Sequence, residues 1–217
     1  MAERLFTTLV TDGPRDQLLA APIAWLLEKL SGNRFEPPRW ADPRVTRTTH
    51  KDGLERRLVA ALALYGCDLL FVHRDAENTA WNERRDQIHQ ILVSLAPPIP
   101  AVCVVPVRMS EAWFLFDTKA IRRAAGNPAG AMPLDLPPLR QIEVLKDPKD
   151  ALKTALRSAS GLSGRRLAGF QHEAAVYRLP NFIPDYTPLR ELPAFAALEE
   201  ELREVLAGRG WLKDSDS

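Results

Sequence analysis

Six ionisable residues fall where apolar runs end. Asp12 and Asp16 follow "RLFTTLV" (4–10) within "TDGPRDQLL"; His73, Asp75 and Glu77 follow "DLLFV" (68–72) within "HRDAE"; Glu111 comes one short turn after "AVCVVPV" (101–107). Three strand ends that each deliver a carboxylate bring like charges within a few ångströms, which is costly without a cation. A hard divalent ion, Mg or Mn, relieves that cost. It prefers carboxylate oxygens, water and phosphate, and it activates water for phosphodiester chemistry. On this reading Asp12, Asp16, Asp75 and Glu77 hold one or two ions. Asp75, Glu111 and His73 carry the catalytic work, the imidazole being the group that titrates near neutrality.

Taken singly, each residue has a plainer explanation. Asp12 before Gly13-Pro14 fits turn chemistry, and Asp16 complements the dipole of the helix that follows. Asp75 or Glu77 organises a loop before Asn78-Thr79, Glu111 suits a first helical turn, and His73 suits an interior position bonded at a strand end. Asp147-Pro148 reads as a helix cap, with a phosphate contact from Lys149 as the alternative. Arg15 and Arg74 serve as phosphate ligands or as partners of neighbouring carboxylates. The run Trp113-Phe114-Leu115-Phe116 reads as core. The carboxylates gain weight only as a set.

The elements that must position this set alternate between strand and helix. A strand over 4–10 precedes a helix over 14–31, opened by Pro14 and kinked at Pro22. Two prolines confine "RFEPPRW" (34–40) to a sheet edge. Leu54, Leu58, Ala61, Leu62 and Tyr65 share a helix face over 54–65, and Gly66 ends it. The strand at 68–72, a helix over 80–95 with Trp81, Ile88, Ile91, Leu92 and Leu95 on one face, and the strand at 101–107 together span the length of a parallel crossover unit. A helix over 111–126 follows. Continuous apolar strands call for a sheet covered on both faces, and sites in such sheets form at the carboxyl ends of strands. From 127 to 148 the chain is proline-rich and aperiodic. A helix at 149–159, a broken stretch and a last helix striped by Phe195, Leu198, Leu202, Val205 and Leu206 come after it. The expected architecture is α/β: a Rossmann-like, mostly parallel sheet with helices on both faces over residues 1–126, and a connector and helical extension packed on it over 127–217.

Composition narrows the function classes. With 217 residues, 46% hydrophobic and 26% charged, the chain has the makeup of a globular α/β protein rather than a disordered or fibrous one. A net charge of +1 gives no global field for nucleic acid or membrane. Mild basic excesses at 34–57 and 153–178 read as solvated surface. Two cysteines, Cys67 and Cys103, make no disulfide framework and have no metal-ligand spacing, and Cys103 reads as a small buried hydrophobe. No apolar run suits a signal peptide or a membrane span. The expectation is a soluble, cytoplasmic protein with no membrane partner. No signal bears on oligomeric state.

"DGPRD" after the first strand, "HRDAE" after a later one and "SEAWFLFD" after the next resemble the motif order of TOPRIM-type families, and most nearly the bacterial family called domain of unknown function 4276. The resemblance runs over roughly residues 4 to 200 and includes "DPK" at 147–149 and "LPAFAALEEEL". It implies a Rossmann-like fold that binds magnesium through a Glu-Gly and an Asp-x-Asp motif, as in topoisomerases, primases and the overcoming-lysogenisation-defect nucleases. Asp12 takes the place of the motif glutamate, one methylene shorter, and Asp16 matches the second acid of the nuclease pattern. The Asp-x-Asp motif is Asp75-Ala76-Glu77 or, shifted, His73-Arg74-Asp75. Glu111, Trp113 and Asp117 match a Glu-Ala-Trp…Asp pattern, although Glu111 and Asp117, six positions apart, do not share a helix face, which makes Glu111 the site member. The implied function is a metal-dependent nuclease acting on DNA or RNA, in phage defence beside an ABC-type ATPase. The alternative is a catalytically degenerate binding or regulatory subunit of an ATPase-containing complex. The first strand–helix turn lacks G-x-G-x-x-G, which disfavours a dinucleotide site.

Overall fold

The computed structural model describes residues 4–49, 51–76 and 79–213. Its strands are β1 (Arg4–Leu5), β2 (Thr7–Val10), β3 (Arg34–Phe35), β4 (Arg39–Trp40), β5 (Leu69–His73) and β6 (Ala101–Val104). Its helices are α1 (Ala20–Leu30), α2 (Pro43–Thr46), α3 (Leu54–Leu64), α4 (Trp81–Ser94), α5 (Thr118–Ala124), α6 (Pro148–Ala159), α7 (Gly164–Ala168), α8 (His172–Arg178) and α9 (Pro193–Gly208). The fold is α/β and Rossmann-like. Four strands pair in the order β4-β2-β5-β6, all parallel, and β1 pairs in parallel with β3.

Alternation along the strands assigns each side chain to a face. Leu9, Leu69, Phe71, Val102 and Val104 enter one buried cluster with α1, α5, α6, α8 and α9. Val10, Leu70, Val72 and Cys103 enter a second cluster with α3 and α4. Both faces are therefore covered, the condition under which strands read as unbroken apolar runs. Trp113 and Phe195 meet edge-on with ring centroids 5.1 Å apart, so residues after 126 contribute to the same core as the sheet.

Several boundaries differ from the sequence pattern: the strand expected over 101–107 ends at Val104, and the edge strand expected over 34–40 is two pieces, β3 and β4, that pair with different strands. The strand expected over 4–10 is interrupted at Phe6, whose N–H is taken by Asp68 Oδ2 at 2.8 Å instead of by a ladder partner. The helix expected over 14–31 begins as a 3-10 segment, Pro14–Leu19, and becomes α-helical only from Ala20. Pro22 has no N–H for the turn before it, so the change of helical type falls where that bond would have formed. The helix expected over 111–126 is two pieces: a 3-10 turn, Ser110–Phe114, and α5. Asp117 separates them by accepting from the N–H groups of Lys119 and Ala120, an N-cap that restarts the helix. Asp147 caps α6 in the same way through the Asp150 N–H, with Pro148 in its first turn.

The chain leaves β2 toward β4 on one side and later returns to β5 on the other. The carboxyl ends of β2 and β5 therefore flank the point where strand order reverses, and the connections diverge there to leave a crevice.

Candidate metal centre

Asp16 is held at that crevice by its local fold. The 3-10 turn brings its side chain back over Gly13, whose N–H donates to Asp16 Oδ2 at 2.9 Å, while the Ser110 hydroxyl donates to Oδ1 at 2.8 Å. Burial alone would raise this carboxyl. The facing His73, Ser110 and the Gly13 N–H outweigh it and hold the group below its ordinary range.

His73 ends β5 and is fully buried. Its Nδ1 lies 2.9 Å from the Val104 carbonyl oxygen. A carbonyl only accepts, so Nδ1 carries the proton and Nε2 faces the crevice. Nε2 is 3.5 Å from Asp75 Oδ1 and 3.6 Å from Asp16 Oδ2. Neither contact has hydrogen-bond geometry: His73 Nε2 and Asp75 Oδ1 are both buried polar atoms without a partner. Burial disfavours the imidazolium, but the two carboxylates prevail and raise His73 to about 9. Asp75 shifts the other way for a carboxyl. Burial pushes it up to about 7 against the pull of His73, and the nearby charges of Asp16, Glu111 and Asp12 add to the rise.

Asp12 and Glu111 stand beside this centre in a different condition. Asp12 Oδ1 accepts from Arg57 Nη1 at 2.8 Å and Oδ2 from Arg74 Nε at 3.3 Å. Arg57 is itself buried and also donates to the Thr11 carbonyl oxygen. Glu111 Oε1 accepts from Arg15 Nη1 at 3.2 Å, and Arg15 also pairs with Glu173. Glu77 lies outside the described residues.

The geometry thus brings Asp12, Asp16, His73, Asp75 and Glu111 to one end of the sheet, with Asp117 set apart as a helix cap. Asp16, His73 and Asp75 offer one ligand atom each within 4.8 Å of one another. These residues fit a divalent ion on two counts. The orphaned Nε2 and Oδ1 both lack a partner, and the Nδ1–H to carbonyl bond is the usual outer contact that orients an imidazole toward a metal. Ser110 and Arg57 complete the surroundings and were not evident from the sequence. The only signal for Ser110 is its adjacency to Glu111, and Arg57 sits 45 positions from Asp12 in an ordinary amphipathic helix. Comparisons with protein-family models, with curated proteins and with solved structures return no match.

Proposed function

We propose that the protein is a metal-dependent nuclease or a related phosphoryl-transfer enzyme acting on nucleic acid, with Asp16, His73 and Asp75 as the ion's ligands. The observation that carries this reading is the pair of buried, partnerless atoms, His73 Nε2 and Asp75 Oδ1, 3.5 Å apart at the reversal of strand order. Two carboxylate oxygens and one imidazole nitrogen suit Mn, and Mg less well because Mg favours an all-oxygen shell. A bound ion supplies Lewis-acid polarisation of a phosphate oxygen and activation of water.

The chain's own groups have separable tasks in this reading. Ser110 and the Gly13 N–H fix the Asp16 carboxylate, and the Val104 carbonyl fixes the imidazole. Glu111 is close enough to raise Asp75 electrostatically and is the group placed to accept a proton once Arg15 turns toward a phosphate. Asp12 is anchored by the buried Arg57 and holds the part-exposed Arg74 at the rim, where a guanidinium group suits phosphate oxygens. The TOPRIM resemblance of "DGPRD" and "HRDAE" points to the same chemistry, and an ABC-type ATPase partner in phage defence follows from that resemblance alone.

The pairing of Asp12 and Glu111 with arginines favours a second reading, a binding or regulatory subunit whose carboxylates are already neutralised from within. Incubation of labelled DNA and tRNA with the chain under Mg and under Mn separates the two. Cleavage that needs the ion and disappears in Asp75→Asn supports the enzyme. Cleavage unchanged in Asp75→Asn, or none with either ion, rejects it.

A further inference from the structure

A second group of ligand-type side chains lies along the open edge of the sheet, away from the strand ends. β6 is the edge strand; α4 covers the face on which Cys103 emerges, and α9 packs along β6. His89 from α4 and Glu201 from α9 meet Cys103 there. Cys103 Sγ is 3.6 Å from His89 Nε2, His89 Nε2 is 3.3 Å from Glu201 Oε1, and the three ligand atoms lie within 4.8 Å of one another. A tetrahedral ion with bonds of about 2.3 Å to sulfur and about 2.0–2.2 Å to nitrogen and oxygen spaces S and N by about 3.6 Å and N and O by about 3.4 Å. The observed S···N and N···O separations match that spacing.

Part of the arrangement has an independent cause. Glu201 Oε1 accepts the Cys103 backbone N–H at 2.7 Å, which satisfies an edge-strand donor. That bond explains the glutamate but not a thiol and an imidazole turned toward the same oxygen. The other polar contact of Sγ is the Arg85 carbonyl, at 4.0 Å. Cys103 is buried while the His89 side chain is 45% exposed, so the cluster is closed toward the strand and open to solvent. A cleft of about 420 Å³ adjoins it, lined also by Glu200, Glu204 and Arg85. Arg85 stacks on the Trp81 ring, 5.6 Å from its centroid. Without a cation, burial and the Glu201 carboxylate push the Cys103 thiol far up, so it stays protonated and is not a nucleophile at neutral pH.

We propose that Cys103 Sγ, His89 Nε2 and Glu201 Oε1 bind one borderline divalent ion of the zinc class, with the fourth position open to the cleft. Binding releases the thiol proton to solvent and ties α4 and α9 to β6. Thiolate sulfur selects zinc or cobalt over the hard ions suited to the strand-end carboxylates, so the two centres differ in the ion they take.

Zinc and cobalt(II) are the probes, added to the full chain carrying Asp75→Asn so that the strand-end cluster lacks a ligand. The expected result is one equivalent of zinc retained through desalting, a zinc-dependent rise in Tm, and a thiolate-to-cobalt charge-transfer band in the near ultraviolet. Cys103→Ser removes the band, and His89→Ala, at an exposed position that leaves folding intact, weakens zinc binding at least tenfold. The proposal is overturned if the parent chain shows no charge-transfer band, or if His89→Ala leaves zinc affinity unchanged. In a chain with Asp75 intact, His89→Ala leaves Mn-dependent cleavage of nucleic acid as it was, so failure of this site and failure of the nuclease reading are separately visible.

Discussion

The flanks and the centre of the strand-end crevice carry the same kind of charge and treat it in opposite ways. On the flanks, the part-exposed Asp12 is matched by Arg57 and Arg74, and the buried Glu111 by Arg15. At the centre, Asp16 and Asp75 face a single imidazole, and two buried atoms there have no partner. Folding therefore pairs the flanking carboxylates with arginines, fixes Asp16 through Ser110 and the Gly13 N–H, and leaves Asp75 Oδ1 and His73 Nε2 to be compensated by something that binds. Buried polar groups without partners are uncommon because each costs on the order of 1–3 kcal/mol. Two of the six such atoms among the described residues lie 3.5 Å apart at the strand-order reversal, and it is their closeness that marks a binding centre rather than a structural ion-pair network.

The contrast is most sharply broken at Asp75. With metal at a hundredfold excess over its Kd, the wild-type chain gains about 2.7 kcal/mol in stability. Asp75→Asn is expected to lose that gain together with ion-dependent cleavage, as thermal denaturation with and without Mn and a cleavage assay will report. A gain of equal size in Asp75→Asn would place the ion elsewhere.

Next in size is the effect of pH on the metal-free chain. His73 has a folded value of about 9 against an ordinary 6.5, so its contribution to stability is complete below about 6.5 and is lost as pH rises through about 9. Asp75 is raised as well, to about 7, so the fold also loses stability as that proton leaves at lower pH. Denaturation in chelator from pH 6 to pH 9.5 should show a fall of up to a few kcal/mol. Metal affinity should rise over the same interval, because the ion competes with those protons. A flat profile would mean that the imidazole and the carboxylates do not share one electrostatic unit.

Substitutions on the flanks should behave differently in kind. Asp12→Ala leaves the buried Arg57 without its carboxylate and should cost about 2 kcal/mol, somewhat below the value for a fully buried broken pair because Asp12 is partly exposed. The Mn-induced gain should survive. Glu111→Gln should cost less, about 1 kcal/mol, since the buried amide keeps an oxygen to accept from Arg15 and Arg15 keeps Glu173. If either variant abolished the metal response without unfolding, the division between flanks and centre would be wrong.

The sequence carried the strand pattern well because physics leaves little choice there. Runs such as "DLLFV" have nowhere to go but a sheet covered on both faces, and carboxylates at their ends must gather where parallel strands end. Helix type was less legible. "EAWFLFDTKAIRRAAG" has helical composition throughout, and only the side chain of Asp117, competing for the N–H groups of Lys119 and Ala120, splits it. The partners were illegible for a different reason. Arg15 finds Glu111 across 96 positions and Cys103 finds Glu201 across 98, and nothing local marks either encounter. His89 likewise looks like a surface residue of an amphipathic helix until α9 and β6 are placed beside it.

The carboxylate of Glu201 on the Cys103 N–H has one more consequence. A parallel sheet grows by recruiting strands at its open sides, and this one is stopped on both. On one side β4 is two residues long, shortly after Pro37-Pro38; on the other, α9 lies over β6 and one of its carboxylates occupies a ladder donor. The last long helix, whose Phe195, Leu198, Leu202 and Leu206 are buried in the core, thus also guards the open side of β6 against self-association.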